Sequence, residues 1–204
     1  MKINRLAIEN EIWESGYSKI AGIDEVGRGP LAGPVYACAV IFPKYFFIEE
    51  VRDSKLLSEK KRLEILPILK NESITWGIGT ATPEEIDTIN IRQATLLAMQ
   101  RAIEKLKLKP NYILVDGRDI PKIKYPAKSV IGGDDKSFTI AAASIIAKVA
   151  RDAFMIDLDK KYPNYKFAKN KGYGTKEHIE AIKEYGATLF HRKSFLSKIL
   201  KDTL

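Results

Sequence analysis

The amino-acid sequence predicts an α/β fold: a mixed sheet flanked by helices, with a helical C-terminal region. Apolar runs rich in Val, Ala and Ile alternate with segments of helical period, in the order strand, strand, helix, strand, helices, strand, helix. From Tyr162 onward, Tyr, Lys, Gly and His replace the aliphatic residues. We therefore predict a main domain over residues 1–160 and a helical region over 161–204 packed on it, and the two can also be counted as one domain of residues 1–204.

Four apolar runs predict the strands of the sheet. They cover residues 19–26, 33–42, 73–80 and 111–117. The second run, GPVYACAVIF, is almost continuously apolar, which is typical of a well-buried strand.

The helix boundaries follow from capping residues and prolines. Ser58 is the predicted N-cap of a charged helix that should end near Leu66, because Pro67 cannot continue it. Pro83 and the two acids after it should open a short helix. Further helices are predicted over residues 91–107, 138–160, 175–185 and 194–202.

The chain is basic, with 34 Lys and Arg against 26 Asp and Glu and a formal net charge of +8. A surplus of this size favours a polyanionic partner, most commonly nucleic acid, although a soluble protein can be basic without one. Cys38 is the single cysteine, which excludes an internal disulfide and a Cys-based metal site. Two histidines are too few for a multi-histidine zinc site.

The cellular location follows from what the sequence lacks. The first 20 residues are mixed and charged, without the apolar core of a signal peptide. No run of about 18 apolar residues occurs that could span a membrane. We therefore expect a cytoplasmic protein with no membrane association, and we expect a monomer.

Acidic residues stand at the ends of predicted elements. Asp24, Glu25 and Asp116 end apolar strands just before a glycine, and Asp134 lies in the turn IGGDD before the helix 138–160. Taken singly, such acids are typical of turns and helix caps. Together they indicate a site, because ligands gather at the carboxyl ends of strands in α/β folds and clustered carboxylates repel unless a cation neutralises them. Oxygen ligands favour Mg²⁺ or Mn²⁺.

Neighbouring strand residues point to opposite faces, so Asp24 and Glu25 cannot both reach one ion from a regular strand. Either the backbone turns at Glu25, which the glycines of the following GRG make easier, or Glu25 contributes its main-chain carbonyl. The sequence leaves both alternatives open.

Basic and small polar residues recur near the acids. On the helix 138–160, Ser144, Lys148 and Arg151 fall at i, i+4 and i+7 and form one polar stripe. The stripe should face either solvent or the phosphates of a ligand, and the same two alternatives hold for Lys55 in RDSKLLSEKKR. Tyr173, between two glycines in NKGYGT, is either a buried turn residue or packs against a sugar or base.

The segments GIDEVGRGPLAGPV, DSK, LVDG, GGD, AAASIIAKVARD, YPNY, KGYGTKEH, YGAT and HRKSF occur in this order. Together they resemble bacterial ribonuclease HII, the type 2 ribonuclease H, from about residue 19 to residue 196. The resemblance implies a ribonuclease H-like fold and an endonuclease dependent on Mg²⁺ or Mn²⁺. Its substrates would be the RNA of RNA·DNA hybrids and single ribonucleotides embedded in duplex DNA, which implies a role in ribonucleotide excision repair.

The family's catalytic and metal-binding acids fall on Asp24, Glu25, Asp116 and Asp134. The resemblance implies two divalent ions about 4 Å apart, one activating a water and the other stabilising the leaving 3′-oxygen. Cleavage on the 5′ side of a ribonucleotide would then leave a 3′-hydroxyl and a 5′-phosphate. A covalent intermediate is not needed, in agreement with the lack of a Ser/Cys–His signature.

The family's glycine-arginine-glycine loop falls on Gly27, Arg28 and Gly29, whose backbone can approach a ribose and bind its 2′-hydroxyl. Tyr173 falls on the residue that packs against the adjoining deoxyribose, so that the enzyme recognises a ribo-to-deoxyribo junction. The predicted substrate-binding residues are Gly27, Arg28, Gly29, Lys55, Ser144, Lys148, Arg151 and Tyr173. Because several are basic, binding should weaken with salt.

Three positions depart from the family pattern. Gly132 replaces a lysine, Asn170 a histidine and Leu56 a second lysine, but none is a predicted metal ligand. Asp152 is interpreted as structural, pairing with a nearby base.

Three other functions are alternatives to a ribonuclease: a nucleic-acid-binding module without catalysis, another metal nuclease of the same fold such as a junction resolvase, and a Mg²⁺-dependent phosphotransferase. The four acids disfavour a binding module without catalysis. The combination of the GRG loop with Tyr173 disfavours a junction resolvase, and the lack of a phosphate-cradling loop disfavours a phosphotransferase.

Overall fold

The fold is built on one five-stranded mixed sheet, described by a computed structural model that covers residues 4–51, 54 and 57–200. The strands are β1 Ile20–Val26, β2 Val35–Ile41, β3 Thr75–Ala81, β4 Tyr112–Asp116 and β5 Ala127–Val130. Their spatial order is β3-β2-β1-β4-β5. β1 pairs antiparallel with β2 and parallel with β4, so β1 is the central strand at which the strand direction changes.

Helices cover both faces of the sheet and form the C-terminal region. They are α1 Ala7–Glu14, α2 Glu59–Glu72, α3 Pro83–Glu104, α4 Gly133–Lys136, α5 Phe138–Lys161, α6 Phe167–Asn170, α7 Lys176–Tyr185 and α8 Lys193–Leu200, with a 3₁₀ turn at Pro163–Tyr165. Among the described residues, no helix is both long enough and apolar enough to cross a bilayer.

Alternation along the strands sends side chains to two separate cores. Ala21 and Ile23 of β1 pack with α3, whereas Cys38 and Val40 of β2 pack with α5. The start of α5 can approach the central strand β1 closely because Gly22 has no side chain. A Cβ at Gly22 would overlap the backbone of Thr139 in α5. The N-terminal end of α5, and the turn before it, are thereby held against β1.

The N-terminal helix α1, which the sequence analysis did not predict, caps the start of α5. Glu9 is fully buried, and its Oε1 accepts hydrogen bonds from Ser137 Oγ at 2.6 Å, Thr139 N at 3.1 Å and Thr139 Oγ1 at 2.9 Å. Burial raises the pKa of this carboxyl, and the hydrogen bonds oppose that rise. A carboxyl at this place satisfies backbone and hydroxyl donors at a helix N-terminus that would otherwise be buried without partners.

The predicted strands are all confirmed, each to within two residues at either end. The predicted end of α2 at Leu66 is wrong, because the helix continues through Pro67 to Glu72. Ile65 and Leu69 share one buried face across the proline, and their burial offsets the missing hydrogen bond. The short helix at Pro83 and the helix 91–107 form one element, α3, with a kink at Asn90, whose φ is 65°.

The C-terminal region shares a core with the end of α5, since Met155 and Leu158 pack with Phe167 and Ile182. Of the predicted helix 194–202, the structure describes residues 194–200, and they are helical. The boundary near residue 160 stays a prediction. β5, α4 and α6 are further elements that the sequence analysis did not anticipate, and all three have only four residues.

We predict that Glu9→Ala lowers the free energy of unfolding by about 1–3 kcal/mol, because it leaves buried donors without an acceptor. Urea denaturation measures the change. Glu11→Ala is the matched control on the same helix; the Glu11 side chain is 70% exposed, and we expect a change below about 0.5 kcal/mol. Equal effects of the two substitutions would show that Glu9 does not cap α5.

Candidate active site

Three carboxylates converge at the carboxyl ends of the central strands. The pairing of β1 with β4 runs to Ile23 opposite Val115, so Asp24 and Asp116 are the next residues of two adjacent parallel strands. Glu25 follows Asp24, and one carboxylate oxygen from each of the three residues lies within 4.8 Å of the other two. The predicted meeting of Asp24, Glu25 and Asp116 is present in the structure.

Glu25 reaches this cluster by its side chain, and a turn of the backbone at Glu25, one of the two alternatives that the sequence left open, is absent. β1 remains paired with β2 as far as Val26, so the strand is regular there. Within the described residues, β4 ends at Asp116 whereas β1 continues to Val26, so the Glu25 side chain can pass the end of β4 and reach the cluster. Arg28 Nη1 lies 3.2 Å from Glu25 Oε1 and holds the carboxylate at the edge of the sheet.

The cluster is electrostatically unfavourable without a cation. Burial, followed by the charges of Glu25 and Asp116, raises the pKa of Asp24 well above its ordinary value. Burial also raises the pKa of Glu25, although the hydrogen bond and the charge of Arg28 oppose that rise. Asp24 Oδ1 accepts a hydrogen bond from Glu25 N at 2.7 Å, and the Ser144 hydroxyl also binds the carboxylate. An oxygen-only donor set of this charge suits Mg²⁺ or Mn²⁺.

Asp134 lies in α4, next to the cluster but outside the group whose oxygens converge. Gly133, the residue before Asp134, connects α4 to the carboxylate cluster, because its N–H donates a hydrogen bond to Asp116 Oδ1 at 2.7 Å. Gly132, where the family pattern has lysine, has φ +63° in the left-handed region that glycine adopts readily. The turn before α5 is therefore tied to β4 by Asp116 itself.

The prediction that Arg151 binds substrate phosphates is wrong. Arg151 is fully buried, and its guanidinium donates hydrogen bonds to the carbonyls of Pro34 at 3.1 Å, Ala32 at 3.1 Å and Lys171 at 2.9 Å. The spacing i, i+4, i+7 identified a shared helix face but not what covers it. The loop that follows Gly27 covers this face, so the stripe faces neither solvent nor a ligand at Arg151.

The other members of the stripe also have protein partners. Ser144 is 5% exposed and lies 2.9 Å from Ser54 Oγ, while it supports Asp24 from the helix side. Lys148 donates to Asp152 Oδ1 at 2.8 Å, so the interpretation of Asp152 as structural is confirmed. Lys55 lies outside the described residues.

The Gly-Arg-Gly loop is anchored by a second buried arginine that the sequence analysis did not identify. Arg192 donates to the carbonyls of Gly27 at 2.6 Å, Arg28 at 2.9 Å and Gly33 at 2.7 and 3.0 Å. Gly27 has φ +90°, and a Cβ there would overlap the guanidinium of Arg151. Only glycine fits both the backbone conformation and the space at this position.

Tyr173 stands beside this loop. The residue is 46% exposed, so the alternative of a buried turn tyrosine is wrong. The Cε1 atom lies 3.6 Å from the position that a Cβ on Gly29 would occupy, which places the ring next to an exposed glycine. Asn170, the departure from the family histidine, supports the tyrosine loop: it donates to Tyr165 O and accepts from Gly172 N, both at 2.7 Å.

The pattern of charges in the sequence did not indicate which arginines would be buried at the site. Arg62 is buried and donates to the carbonyls of Ser54 and Leu57, on either side of the Lys55 position. Its hydrogen bonds, like those of Arg192, go to backbone carbonyls, which every residue type carries, and its Nη2 also lies 4.0 Å from Asp152 Oδ2. The HRKSF segment of the family resemblance is the one feature of the sequence that pointed to Arg192.

The sheet order and the acids at the ends of β1 and β4 define an enzyme of the ribonuclease H-like fold. The crystal structure of ribonuclease H2 from Pyrococcus horikoshii OT3 matches with a TM-score of 0.76 at 27% sequence identity, over 90% of this chain and 98% of that one. The predicted fold class is confirmed.

The family assignment is equally direct. The family model for ribonuclease HII matches residues 21–198. The ribonuclease HII of Clostridioides difficile strain 630 is 55% identical over 192 residues, which cover 94% of this chain and 75% of the relative. That of Alkaliphilus metalliredigens strain QYMF is 52% identical over 98% of this chain and 100% of the relative. The chain belongs to the ribonuclease HII family, and it is an endoribonuclease that cleaves the RNA strand of RNA·DNA hybrids.

We predict that Asp24→Asn stabilises the fold in the absence of divalent metal. Because the pKa of Asp24 is raised from 3.8, the native state retains a proton that the unfolded state releases first, and stability falls as pH rises between the two pKa values. The gain in Tm over wild type should be small near pH 4 and grow toward neutral pH, by roughly 2–4 °C per 1 kcal/mol of relieved repulsion.

Thermal unfolding in EDTA between pH 4 and pH 8 measures this gain. Asp157→Asn is the control, because that carboxylate lies on the surface and pairs with Lys160 at 2.7 Å. The control should show no gain that grows with pH. A wild type as stable as Asp24→Asn at pH 7 would contradict the electrostatic explanation.

Proposed function

We propose that the carboxylates of Asp24, Glu25 and Asp116, joined by Asp134, hold divalent Mg²⁺ or Mn²⁺ at the scissile phosphate. The observation that carries this proposal is the convergence of three carboxylate oxygens within 4.8 Å of one another, at a site where burial and then the charges of Glu25 and Asp116 raise the pKa of Asp24. A bound cation would offset that repulsion, and the site contains the oxygen ligands that these ions prefer.

The chemistry that divalent ions supply in such a site is the activation of a water and the stabilisation of a leaving oxygen. The protein's own part is to fix the ligands. Glu25 N and the Ser144 hydroxyl orient Asp24, Gly133 N orients Asp116, and Arg28 orients Glu25. The reaction is hydrolysis on the 5′ side of a ribonucleotide, and its products carry a 3′-hydroxyl and a 5′-phosphate.

Ribonucleotide recognition is assigned to the loop Gly27-Arg28-Gly29 together with Tyr173. Arg192 already binds the carbonyls of Gly27 and Arg28, so we assign the contact with the 2′-hydroxyl to the N–H groups of the loop. The Tyr173 ring, exposed beside Gly29, packs on the adjoining deoxyribose. This arrangement supports cleavage at single ribonucleotides in duplex DNA as well as in continuous hybrids.

Basic side chains around the cluster are proposed to bind the flanking phosphates. Lys55 and Lys148 keep this role from the sequence analysis, whereas Arg151 does not. Arg28, Arg92 and Arg118 line a small cleft beside Glu25 and Asp116, which adds positive charge on the α3 side of the cluster. Binding should therefore weaken with salt. A monomeric, cytoplasmic enzyme with a role in ribonucleotide excision repair completes the proposal.

We predict that Asp24→Asn abolishes cleavage of a duplex containing one ribonucleotide, by more than about 10²-fold, because the loss of a buried charge removes a ligand that no neighbour replaces. Mn²⁺ binding measured by calorimetry should weaken in parallel. Asp157→Asn should retain wild-type values in both assays. Full activity of Asp24→Asn, or unchanged Mn²⁺ affinity, would refute the proposed site.

Tyr173→Ala should reduce cleavage at a single embedded ribonucleotide by at least about fivefold, corresponding to about 1 kcal/mol of lost stacking, and should leave a continuous RNA·DNA hybrid nearly unaffected. The ratio of kcat/KM on the two substrates measures this selectivity. Tyr185→Ala is the matched control, since Tyr185 is 52% exposed in the same region. Equal losses on both substrates, or cleavage of an all-DNA duplex by the wild type, would contradict junction recognition.

A further inference from the structure

The two histidines of the chain form a buried pair that the proposed reaction does not use. His178 is 0% exposed and His191 is 2% exposed, and their Nε2 atoms lie 3.0 Å apart. The rings pack against Tyr165 and Phe167 in the C-terminal core. Each ring also binds a backbone group at its other nitrogen, so the pair connects two loops that are distant in the sequence.

The backbone partners determine which nitrogen carries each proton. Thr188 N donates to His191 Nδ1 at 2.9 Å, with the Thr188 hydroxyl also at 2.9 Å, so Nδ1 is an acceptor and Nε2 carries the proton of His191. His191 Nε2 therefore donates to His178 Nε2. His178 must then carry its proton on Nδ1, which donates to the carbonyl of Tyr173 at 2.8 Å. The hydrogen bonds run in one direction from Thr188 to Tyr173.

This assignment requires two neutral rings, and their surroundings keep them neutral. Burial, followed by the charge of His178, lowers the pKa of His191 to about 4. Burial also lowers the pKa of His178. The buried guanidinium of the next residue, Arg192, is a further cation in this turn.

The pair ends on the residue proposed to pack on deoxyribose. The Tyr173 carbonyl accepts from His178 Nδ1 and from Thr175 N at 2.8 Å, so the backbone that carries the exposed ring is fixed from the interior. Arg192, directly after His191, fixes the carbonyls of Gly27 and Arg28. The consecutive residues His191 and Arg192 therefore hold both parts of the recognition surface: His191, through His178, holds Tyr173, and Arg192 holds the Gly-Arg-Gly loop.

We propose that His191, acting through His178, is a positioning residue that sets the distance between Tyr173 and the Gly-Arg-Gly loop and thereby the preference for ribo-to-deoxyribo junctions. The inference rests on the proposed function, because it requires that Tyr173 contributes to junction recognition. His191 itself is buried and does not touch the substrate. Its contribution is to hold the Tyr173 ring at its place beside Gly29.

Two amide substitutions separate the positioning role from simple packing. The side-chain nitrogen of Gln reaches about as far as His Nε2, so His191→Gln keeps a donor to His178. The side-chain oxygen of Asn lies near the place of His Nδ1, so His191→Asn keeps the contact with Thr188 but loses the bond to His178. Both replace an aromatic ring with an amide in the same core, but Gln keeps the bond to His178, whereas Asn keeps the contact with Thr188.

We expect His191→Asn to lower the ratio of kcat/KM on a single-ribonucleotide duplex to that on a continuous hybrid by about three- to tenfold. His191→Gln should keep the ratio within about twofold. The double variant His191→Asn/Tyr173→Ala should lose no more than Tyr173→Ala, since both act through one ring. Tyr165→Phe is the control: it removes a hydrogen bond to Gly186 O at 2.6 Å beside the same rings and should leave the ratio unchanged.

The proposal is overturned if folded His191→Asn keeps the wild-type ratio, or if both amide variants and Tyr165→Phe lower the ratio alike. A ratio that Tyr173→Ala leaves unchanged would instead refute the assignment of Tyr173 in the proposed function. Histidine ¹⁵N chemical shifts of the wild type provide a readout that needs neither activity nor a stable variant. They should show His178 protonated at Nδ1 and His191 at Nε2, and any other pair of tautomers would also overturn the proposal.

Discussion

The parallel pairing of β1 with β4 is the constraint on which the site depends. It places Asp24 and Asp116 side by side at the end of the sheet, and the end of β4 at Asp116 lets Glu25 join them from the other face. Like charges brought this close oppose folding, so the remainder of the structure has to hold them together. The packing of α5 on Gly22, the hydrogen bond of Gly133 to Asp116 and the support of Asp24 by Ser144 all serve this end.

Buried arginines fix the loops of the site in a second way, by donating hydrogen bonds to the backbone carbonyls of the loop residues. Arg151 and Arg192 together bind carbonyls on both sides of the turn that follows β1, and Arg151 also binds the loop before Tyr173. The planar guanidinium has five donors in a rigid arrangement, which suits several carbonyls at once. A lysine would supply a single charged nitrogen in each place. Burial, followed by the charge of Arg151, lowers the pKa of Arg192 to about 9, because a buried cation has lost its hydration.

The parts of the fold that could be predicted are those with a local pattern. Apolar runs identified four strands, and the alanine-rich run identified α5, because periodicity reports burial directly. Pro67 misled the prediction of α2, since tertiary burial of Leu69 outweighs a local rule. The four-residue β5 was missed because too few residues carry its pattern.

The same distinction applies to the site. The acids were identifiable because their position after strands is a sequence property. Arg151 was assigned to the substrate because helical spacing shows which residues share a face and not what covers that face. Arg192 and the histidine pair act through backbone carbonyls and through each other, and the sequence carries no complementary charge that would indicate such partners.

The long reach of Arg192 has a consequence for the order in which the enzyme becomes functional. Its bond to Gly27 spans 165 residues, and Glu9 reaches Thr139 across 130. Contacts of such high sequence separation form late, because a large loop must close before they contribute. Because Arg192 follows Arg28 by 164 residues, the nascent polypeptide carries Asp24, Glu25 and Asp116 well before the residue that anchors the Gly27-Arg28-Gly29 loop has been synthesised.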